Sequence, residues 1–354
     1  MPGLSFLIVS VGLVMFAKCL VGSSHHIVRH RGGLVLVTLI VGAGLSSLEA
    51  RESGALAKWR RAAIEQSDGN PTCTRLIKRL CPRTGAETAE GHNKSGSPDE
   101  LSYGDDGLQR LDFWKAAGPD APLVVFVHGG GWKRGDKHSE TGAYKPGHYL
   151  QQGYAFASIN YRLGPQATVE QQAGDVASAI AYLAKNASQL GIDKNRIVLM
   201  GHSAGAHLCA LVGTDPQYLR AVGLGFGSLR GVIPLDGAAY DAPSQMTEGA
   251  RFMRDTYEQA FGNDPRRQRA LSPFFQAASP NVGSFLILHV DRDDGTRQSA
   301  ALADALRKGG TAVKLQGFAG RGLDGHAQIN HELGNPDYPA TPVVDTYLRE
   351  VFGK

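Results

Sequence analysis

The chain has 354 residues, 42% of them apolar and 20% charged, with a formal charge of +4. That composition is rich enough to bury a sizeable core in one long α/β domain or two ordinary ones. The charge is small for the length and no basic run carries interleaved aromatics, which argues against a nucleic-acid partner, and no repeat of fixed period is visible.

The N-terminus differs from the rest. Leu4–Leu20 is nearly all apolar, His25–Arg31 is polar and basic, and Leu34–Leu45 is apolar again. Residues 1–50 are expected to be a leader or a membrane anchor. Arg29–Arg31 serves as the basic region of a signal peptide, Leu34–Val41 as its apolar stretch and Gly42–Ala50 as the small-residue region for cleavage. Cleavage implies export, to the periplasm or outside the cell. An uncleaved segment implies membrane association through residues 4–45. In an exported protein Cys73 and Cys81 are free to pair. Residues 51–100 form an N-terminal extension, with a short amphipathic helix over Leu56–Ile64 and a linker over Gly85–Asp99.

Ordered alternation begins near Leu101. Leu101–Gly104 and Gln109–Trp114 are short strands split by the turn Asp105-Asp106-Gly107, an antiparallel pair at the sheet edge. Leu123–Val127 is a continuous apolar run, suited to a strand buried on both faces, and it leads into His128-Gly129-Gly130-Gly131-Trp132. Tyr154–Ile159 is the next strand. Val169, Ala173, Val176, Ile180, Leu183, Ala187 and Leu190 then mark one face of a long helix, with Gly191 as its stop. Arg196–Met200 is a strand that turns at Gly201-His202-Ser203-Ala204-Gly205 into a helix, on which Cys209 reads as a small buried thiol. Gly231–Leu235 is a strand ending at Asp236-Gly237. Residues 241–280, with four prolines, break the alternation and read as a partial lid insertion, helical near Glu248–Phe261. Phe285–Val290, Gln298–Lys308, Ala312–Leu315 and Val343–Phe352 complete a strand, helix, strand, helix series. The pattern implies a mostly parallel sheet with helices on both faces over residues 101–354, and ligands in such sheets sit at the carboxyl ends of the strands.

Gly-x-Ser-x-Gly between a strand and a helix is the geometry that stands a serine hydroxyl clear of the backbone. Such a hydroxyl needs a base within hydrogen-bond reach, and the base needs an orienting carboxylate, both from later in the chain. His326, in a Gly-rich loop after the last strand, is the expected base; His331 starts what reads as the next helix. Asp291, Asp293 and Asp294 all follow the strand ending at Val290, and the residues alone do not choose among them. The glycines of His128–Gly131 can aim backbone N–H groups at a developing oxyanion, together with the amide of Ala204. Trp132 and His202 are expected to line the pocket. Such chemistry needs no metal and no organic cofactor.

These motifs together resemble the α/β-hydrolase superfamily, in particular bacterial carboxylesterases of the hormone-sensitive-lipase and feruloyl-esterase-like groups, with kynurenine formamidase a cousin. The resemblance runs from about Ser102 to Phe352. It rests on Tyr103-Gly104 with Leu111-Asp112, His128–Trp132 with Gly135-Asp136-Lys137, Asn160–Leu163, Gln172 with Asp175, Gly191–Asp193, Gly201–Gly205, and His326 with Ile329-Asn330. It implies Ser203 as nucleophile, His326 as base, and Gly130, Gly131 and Ala204 as oxyanion donors. The family's acid commonly stands seven residues before a Gln-Ser pair; Gln298-Ser299 fixes that position as Asp291. The loop after His289 is shorter than in relatives, which keeps Asp294 as the alternative. The implied reaction is hydrolysis of a small-molecule carboxylic ester through an acyl-enzyme. An amidase or formamidase is the alternative, and a non-catalytic binding protein on the same fold a distant one.

Overall fold

The computed structural model describes residues 96–278 and 280–353. The expected leader, membrane segment, Leu56–Ile64 helix and Cys73–Cys81 pair lie outside these residues. Among the described residues no helix is long and apolar enough to cross a membrane.

Eight strands form one sheet: β1 (Asp99–Ser102), β2 (Arg110–Trp114), β3 (Ala121–Val127), β4 (Ala155–Ile159), β5 (Ile192–His202), β6 (Gly231–Leu235), β7 (Ser284–Asp291) and β8 (Ala312–Arg321). Their spatial order is β1-β2-β4-β3-β5-β6-β7-β8. β1 and β2 form the expected antiparallel hairpin at one edge, β2 runs antiparallel to β4, and the six strands from β4 to β8 are mutually parallel. The chain leaves β3 to one side for β4 and returns on the other for β5. Such a reversal opens a crevice beyond the strands' carboxyl ends, where ligands bind.

The helices are α1 (Lys145–Gln151), α2 (Val169–Lys185), α3 (Ala187–Leu190), α4 (Ala204–Thr214), α5 (Pro216–Ala221), α6 (Ala242–Glu248), α7 (Arg254–Phe261), α8 (Pro265–Ala270), α9 (Pro273–Gln276), α10 (Asp293–Lys308), α11 (Gly322–His331) and α12 (Ala340–Phe352). Helix α2 starts in a full capping box, with Thr168 and Gln171 satisfying each other's backbone amides. The expected long helix breaks after Lys185, and Gly191 ends α3 in the left-handed region at φ 73°. Residues 241–278, expected as part of a lid insertion, hold four short α-helices, α6 to α9, and a 3₁₀ turn over Arg251–Met253; each of the four except α7 carries a proline in its first turn.

Two apolar clusters cover the two faces of the sheet. Strand side chains alternate between faces, so Leu123, Val125 and Val127 of β3 join α2 and α4 in one cluster, whereas Val124 and Phe126 join Tyr149 and α12 in the other. All seven residues of β3 are buried, as its unbroken apolar run requires. Truncating a core aromatic such as Phe126 to Ala costs about 3–5 kcal/mol in interiors of this kind, so the strands that carry the site are anchored independently of it.

Candidate active site

The carboxyl ends of β3, β5 and β6, together with the helix that follows β8, bring the chemically competent residues together. Ser203 follows β5 and is the N-cap of α4, at φ 56° and ψ −118°. A non-glycine residue in that region is strained, and such strain is held only where surrounding packing fixes it. The packing is visible at the flanking glycines. A Cβ on Gly201 would land on the Gly205 carbonyl and on Sγ of Cys209, and one on Gly205 would land on the carbonyls of Val127 and His128. The turn is therefore pressed against the end of β3. There Gly130 and Gly131 both have positive φ, at 108° and 63°, and a Cβ on Gly129 would lie 3.1 Å from Cβ of Ser203. The glycine loop and Ala204, the first residue of α4, thus flank the serine.

His326 lies on helix α11, not in a loop: β8 runs on to Arg321, and the glycines of this segment serve close packing. A Cβ on Gly325 would strike the backbone of Gly320, so α11 folds directly back on the end of β8. His326 Nε2 stands 2.9 Å from Oγ of Ser203, and its Nδ1 stands 2.5 Å from Oδ2 of Asp236. Nδ1 carries the proton that the carboxylate accepts, which leaves Nε2 as the acceptor facing the serine hydroxyl.

The carboxylate that meets His326 is Asp236, not Asp291 or its alternative Asp294. Asp236 is fully buried at the end of β6, at φ 43°, a conformation Asp tolerates better than most residues. Its amide donates to the Leu288 carbonyl at 2.7 Å, and the Ser203 amide donates to the Leu235 carbonyl at 3.0 Å. Burial would raise its carboxyl pKa, but the hydrogen bond with His326 and the nearby Arg292 charge outweigh that and hold it below the ordinary 3.8. Asp291 is turned away by strand alternation: Val290 points into the core, so Asp291 faces water and reaches only Arg321, at 3.5 Å. Asp293 is exposed as well. Asp294 sits behind Asp236, bound to Arg292 at 3.2 Å and to Gln245 at 3.0 Å. The sequence did contain a signal for Asp236, a carboxylate directly after a strand and between Ser203 and His326 in chain order.

Both expected pocket residues are largely buried, although Trp132 borders a small cavity beside Gly131, Gly164 and Thr256. Trp132 is 3% exposed, stacked edge-on with His207, Tyr257 and Phe261, and its Nε1 donates to Nδ1 of His207 at 3.3 Å. His202 is buried with its ring centroid 4.5 Å from that of His326, and its Nε2 donates to the His326 carbonyl at 2.8 Å. Burial and the neighbouring His326 push the His202 pKa well below its ordinary value, so it packs as a neutral ring. Sequence reasoning also passed over Lys145, which is fully buried. Its Nζ donates to Oδ1 of Asn330 at 2.8 Å, to the Asn330 carbonyl and to the Thr141 carbonyl at 2.9 Å. Lys145 thereby fastens α11 one turn beyond His326.

A sheet of this order, a serine on a strained strand–helix turn and a histidine after the last strand are the features of the α/β-hydrolase fold. The BD-FAE family model matches residues 111–222. Esterase LipC of Mycobacterium tuberculosis is 34% identical over 203 residues, covering 54% of this chain and 50% of that protein. Esterase LipQ of the same organism is 31% identical over 233 residues, covering 60% of this chain and 53% of that protein. Isoprenylcysteine alpha-carbonyl methylesterase ICME of Arabidopsis thaliana is 39% identical over 116 residues, covering 32% of this chain and 27% of that protein. The chain thus spans about half the length of the two esterases. Among solved structures, esterase B of Lactobacillus rhamnosis superposes with a TM-score of 0.60 at 20% identity, over 85% of this chain and 95% of that one, which shows the shared fold. Over these stretches the chain is similar to the BD-FAE family and to esterases, the resemblance expected from its motifs.

Proposed function

We propose that the protein is a serine hydrolase that cleaves small-molecule carboxylic esters through an acyl-enzyme. The observation that carries this reading is the continuous hydrogen-bonded line from Ser203 Oγ through His326 to Asp236, at 2.9 and 2.5 Å, in a chain similar to esterases. His326 Nε2 takes the hydroxyl proton as Oγ attacks the carbonyl, and Asp236 stabilises the imidazolium that forms. The negative charge on the former carbonyl oxygen is met by the amides of Gly130, Gly131 and Ala204, each such donor contributing about 2.7–4 kcal/mol to the transition state. Collapse of the tetrahedral intermediate expels the alcohol with the proton from His326. Water, deprotonated by the same histidine, then releases the acid.

Ser203→Ala tests the reading. Turnover of p-nitrophenyl acetate is expected to fall by a factor of about 10⁴ or more, and a fluorophosphonate probe to label wild-type protein at Ser203 and leave the variant unlabelled. Undiminished turnover in the variant overturns the assignment, and absence of turnover on any ester by wild type favours a binding protein. The amidase reading predicts faster turnover of N-formylkynurenine than of p-nitrophenyl acetate. Export with cleavage of the leader, residues 1–50, in the small-residue region Gly42–Ala50 rests on the sequence pattern, and N-terminal sequencing of the mature protein tests it.

A further inference from the structure

Behind Asp236 the structure continues as a second line of charge. Oδ1 of Asp236 accepts from the Val290 amide at 3.1 Å. Oδ2, the oxygen that meets His326, also accepts from Nε of Arg292 at 2.9 Å. The Arg292 side chain is 15% exposed. Its other two nitrogens donate to the Gly237 carbonyl at 3.3 Å and to Oδ1 of Asp294 at 3.2 Å. Asp294 is held in turn by the Gly295 amide at 2.9 Å and by Nε2 of Gln245, on insertion helix α6, at 3.0 Å. Gln245 also donates to the Tyr257 hydroxyl at 3.1 Å. Gly295 leaves room for this arrangement: a Cβ there would stand 2.9 Å from Nη2 of Arg292 and 3.2 Å from Oδ1 of Asp236.

We propose that Arg292 and Asp294 are positioning residues for ester hydrolysis, forming with Asp236 a carboxylate–guanidinium–carboxylate cluster that aims Asp236 at His326 and sets how strongly it supports the imidazolium. This rests on the hydrolase reading above. The physical reason lies in the position of the acid. A carboxylate buried at the end of β6, and shared between a histidine and a cation on one oxygen, needs its second partner to fix its rotation about the carboxyl axis. The planar fork of Arg292 supplies that constraint, because it binds Asp236, Gly237 and Asp294 at once. The cluster carries one net negative charge. Arg292 alone would offset the charge of Asp236 that steadies the imidazolium in the transition state, and Asp294 restores it. Asp294 therefore belongs to the machinery, although it does not touch His326.

The charged and titratable groups around His326 are Asp236 and Ser203, the tilted ring of His202, and Arg292 with Asp294 through Asp236. Lys145 acts on His202 from α1, Tyr257 acts on Arg292 and Asp294 from α7, and Tyr240 and Tyr338 feel the charge of Asp236. Of these, Arg292 and Asp294 carry opposite charges within one network, which makes the prediction directional. Arg292→Met removes a cation, the imidazolium forms more readily, and the acid limb of kcat/KM moves up by about one pH unit. Asp294→Asn leaves the cation uncompensated, and the limb moves down by a similar amount. Both variants lower kcat.

The experiment is the pH–rate profile of p-nitrophenyl acetate hydrolysis by the full chain for wild type and these two variants, with Arg292→Lys as the conservative control. The rate of Ser203 labelling by a fluorophosphonate as a function of pH is a second readout, usable where turnover is weak. Arg292→Lys is expected to keep the acid limb within about 0.3 units of wild type while kcat falls, because it keeps the charge and loses the fork. Opposite shifts for Arg292→Met and Asp294→Asn establish the cluster. Shifts in one direction, or none, in soluble variants that still label at Ser203 overturn it. A wild-type protein that neither turns over the ester nor labels fails the hydrolase reading itself, a distinct result.

Discussion

Asp236 and His326 meet at 2.5 Å although they are 90 residues apart in sequence. The carboxylate comes from the end of β6, the strand next to the one that delivers Ser203, so the proposed nucleophile and acid leave adjacent strands of one sheet. Only the histidine arrives from elsewhere, on α11 after β8.

Replacing Asp236 should therefore be costly where replacing Asp291 is not. Asp236→Asn is expected to reduce kcat by about 10³–10⁴, because an amide favours the wrong imidazole tautomer and gives the imidazolium no countercharge. Asp291→Asn removes an exposed contact with Arg321 and is expected to leave kcat within about twofold of wild type. Steady-state kinetics on p-nitrophenyl acetate at saturating substrate distinguishes the two.

Gly205→Ala is expected to damage fold and site together. The added methyl would occupy the space of the Val127 and His128 carbonyls, which are backbone atoms of a buried strand and cannot swing away. Overpacking of this kind costs about 1–3 kcal/mol, more where backbone must move, and it would push the Ser203 turn off the glycine loop. A lower urea midpoint accompanied by lost fluorophosphonate labelling is the expected pair of results.

Lys145 predicts a pH dependence of stability. Burial pushes its ammonium from 10.5 down to about 7. Between those values the unfolded chain binds a proton that the folded chain has released, so stability rises with pH across that window. Lys145→Met removes this dependence. Wild-type stability minus variant stability, measured by urea unfolding, should accordingly grow by a few kcal/mol from pH 7 to about pH 10 and stay flat below pH 6.

His202→Phe keeps the ring packed against His326 and removes the hydrogen bond from Nε2 to the His326 carbonyl. Losing one such bond is worth about 1 kcal/mol. A fall in kcat of about fivefold with KM unchanged is expected, since the residue holds α11 and does not face the cleft. A rise in KM with kcat preserved would restore it to the substrate pocket.

Much of this site was legible in the sequence because its signals are local. The Ser203 turn is written in five residues, the glycine loop in four, and the buried strands in unbroken apolar runs such as Leu123–Val127. The choice of acid was not legible: Asp236 and the Asp291–Asp294 group all follow strands between Ser203 and His326, the choice depends on which strand ends lie beside which, and spacing to Gln298-Ser299 carries no information about rotation along β7. One residue of alternation sends Asp291 into water. The histidine segment misled in a related way. Its glycines read as a loop, but Gly320 and Gly325 are there to let a helix lie against a strand. Lys145 left no sequence signal, since a buried cation held by carbonyls looks like any surface lysine until α1 and α11 are seen side by side.

The amides of Ser203 and Asp236 are tied to neighbouring strands of the central sheet, whereas His326 rides a helix whose first residues, including Leu323 at 61% exposure, face solvent. The three groups therefore differ in how firmly they are moored. On warming, α11 should loosen while the sheet is still intact, since segments with few buried contacts open first. Inactivation would then precede melting and reverse on cooling, a gap measurable by comparing residual turnover with far-ultraviolet circular dichroism along one temperature ramp. The proposed site would then part from its histidine while the strands that carry Ser203 and Asp236 still hold together.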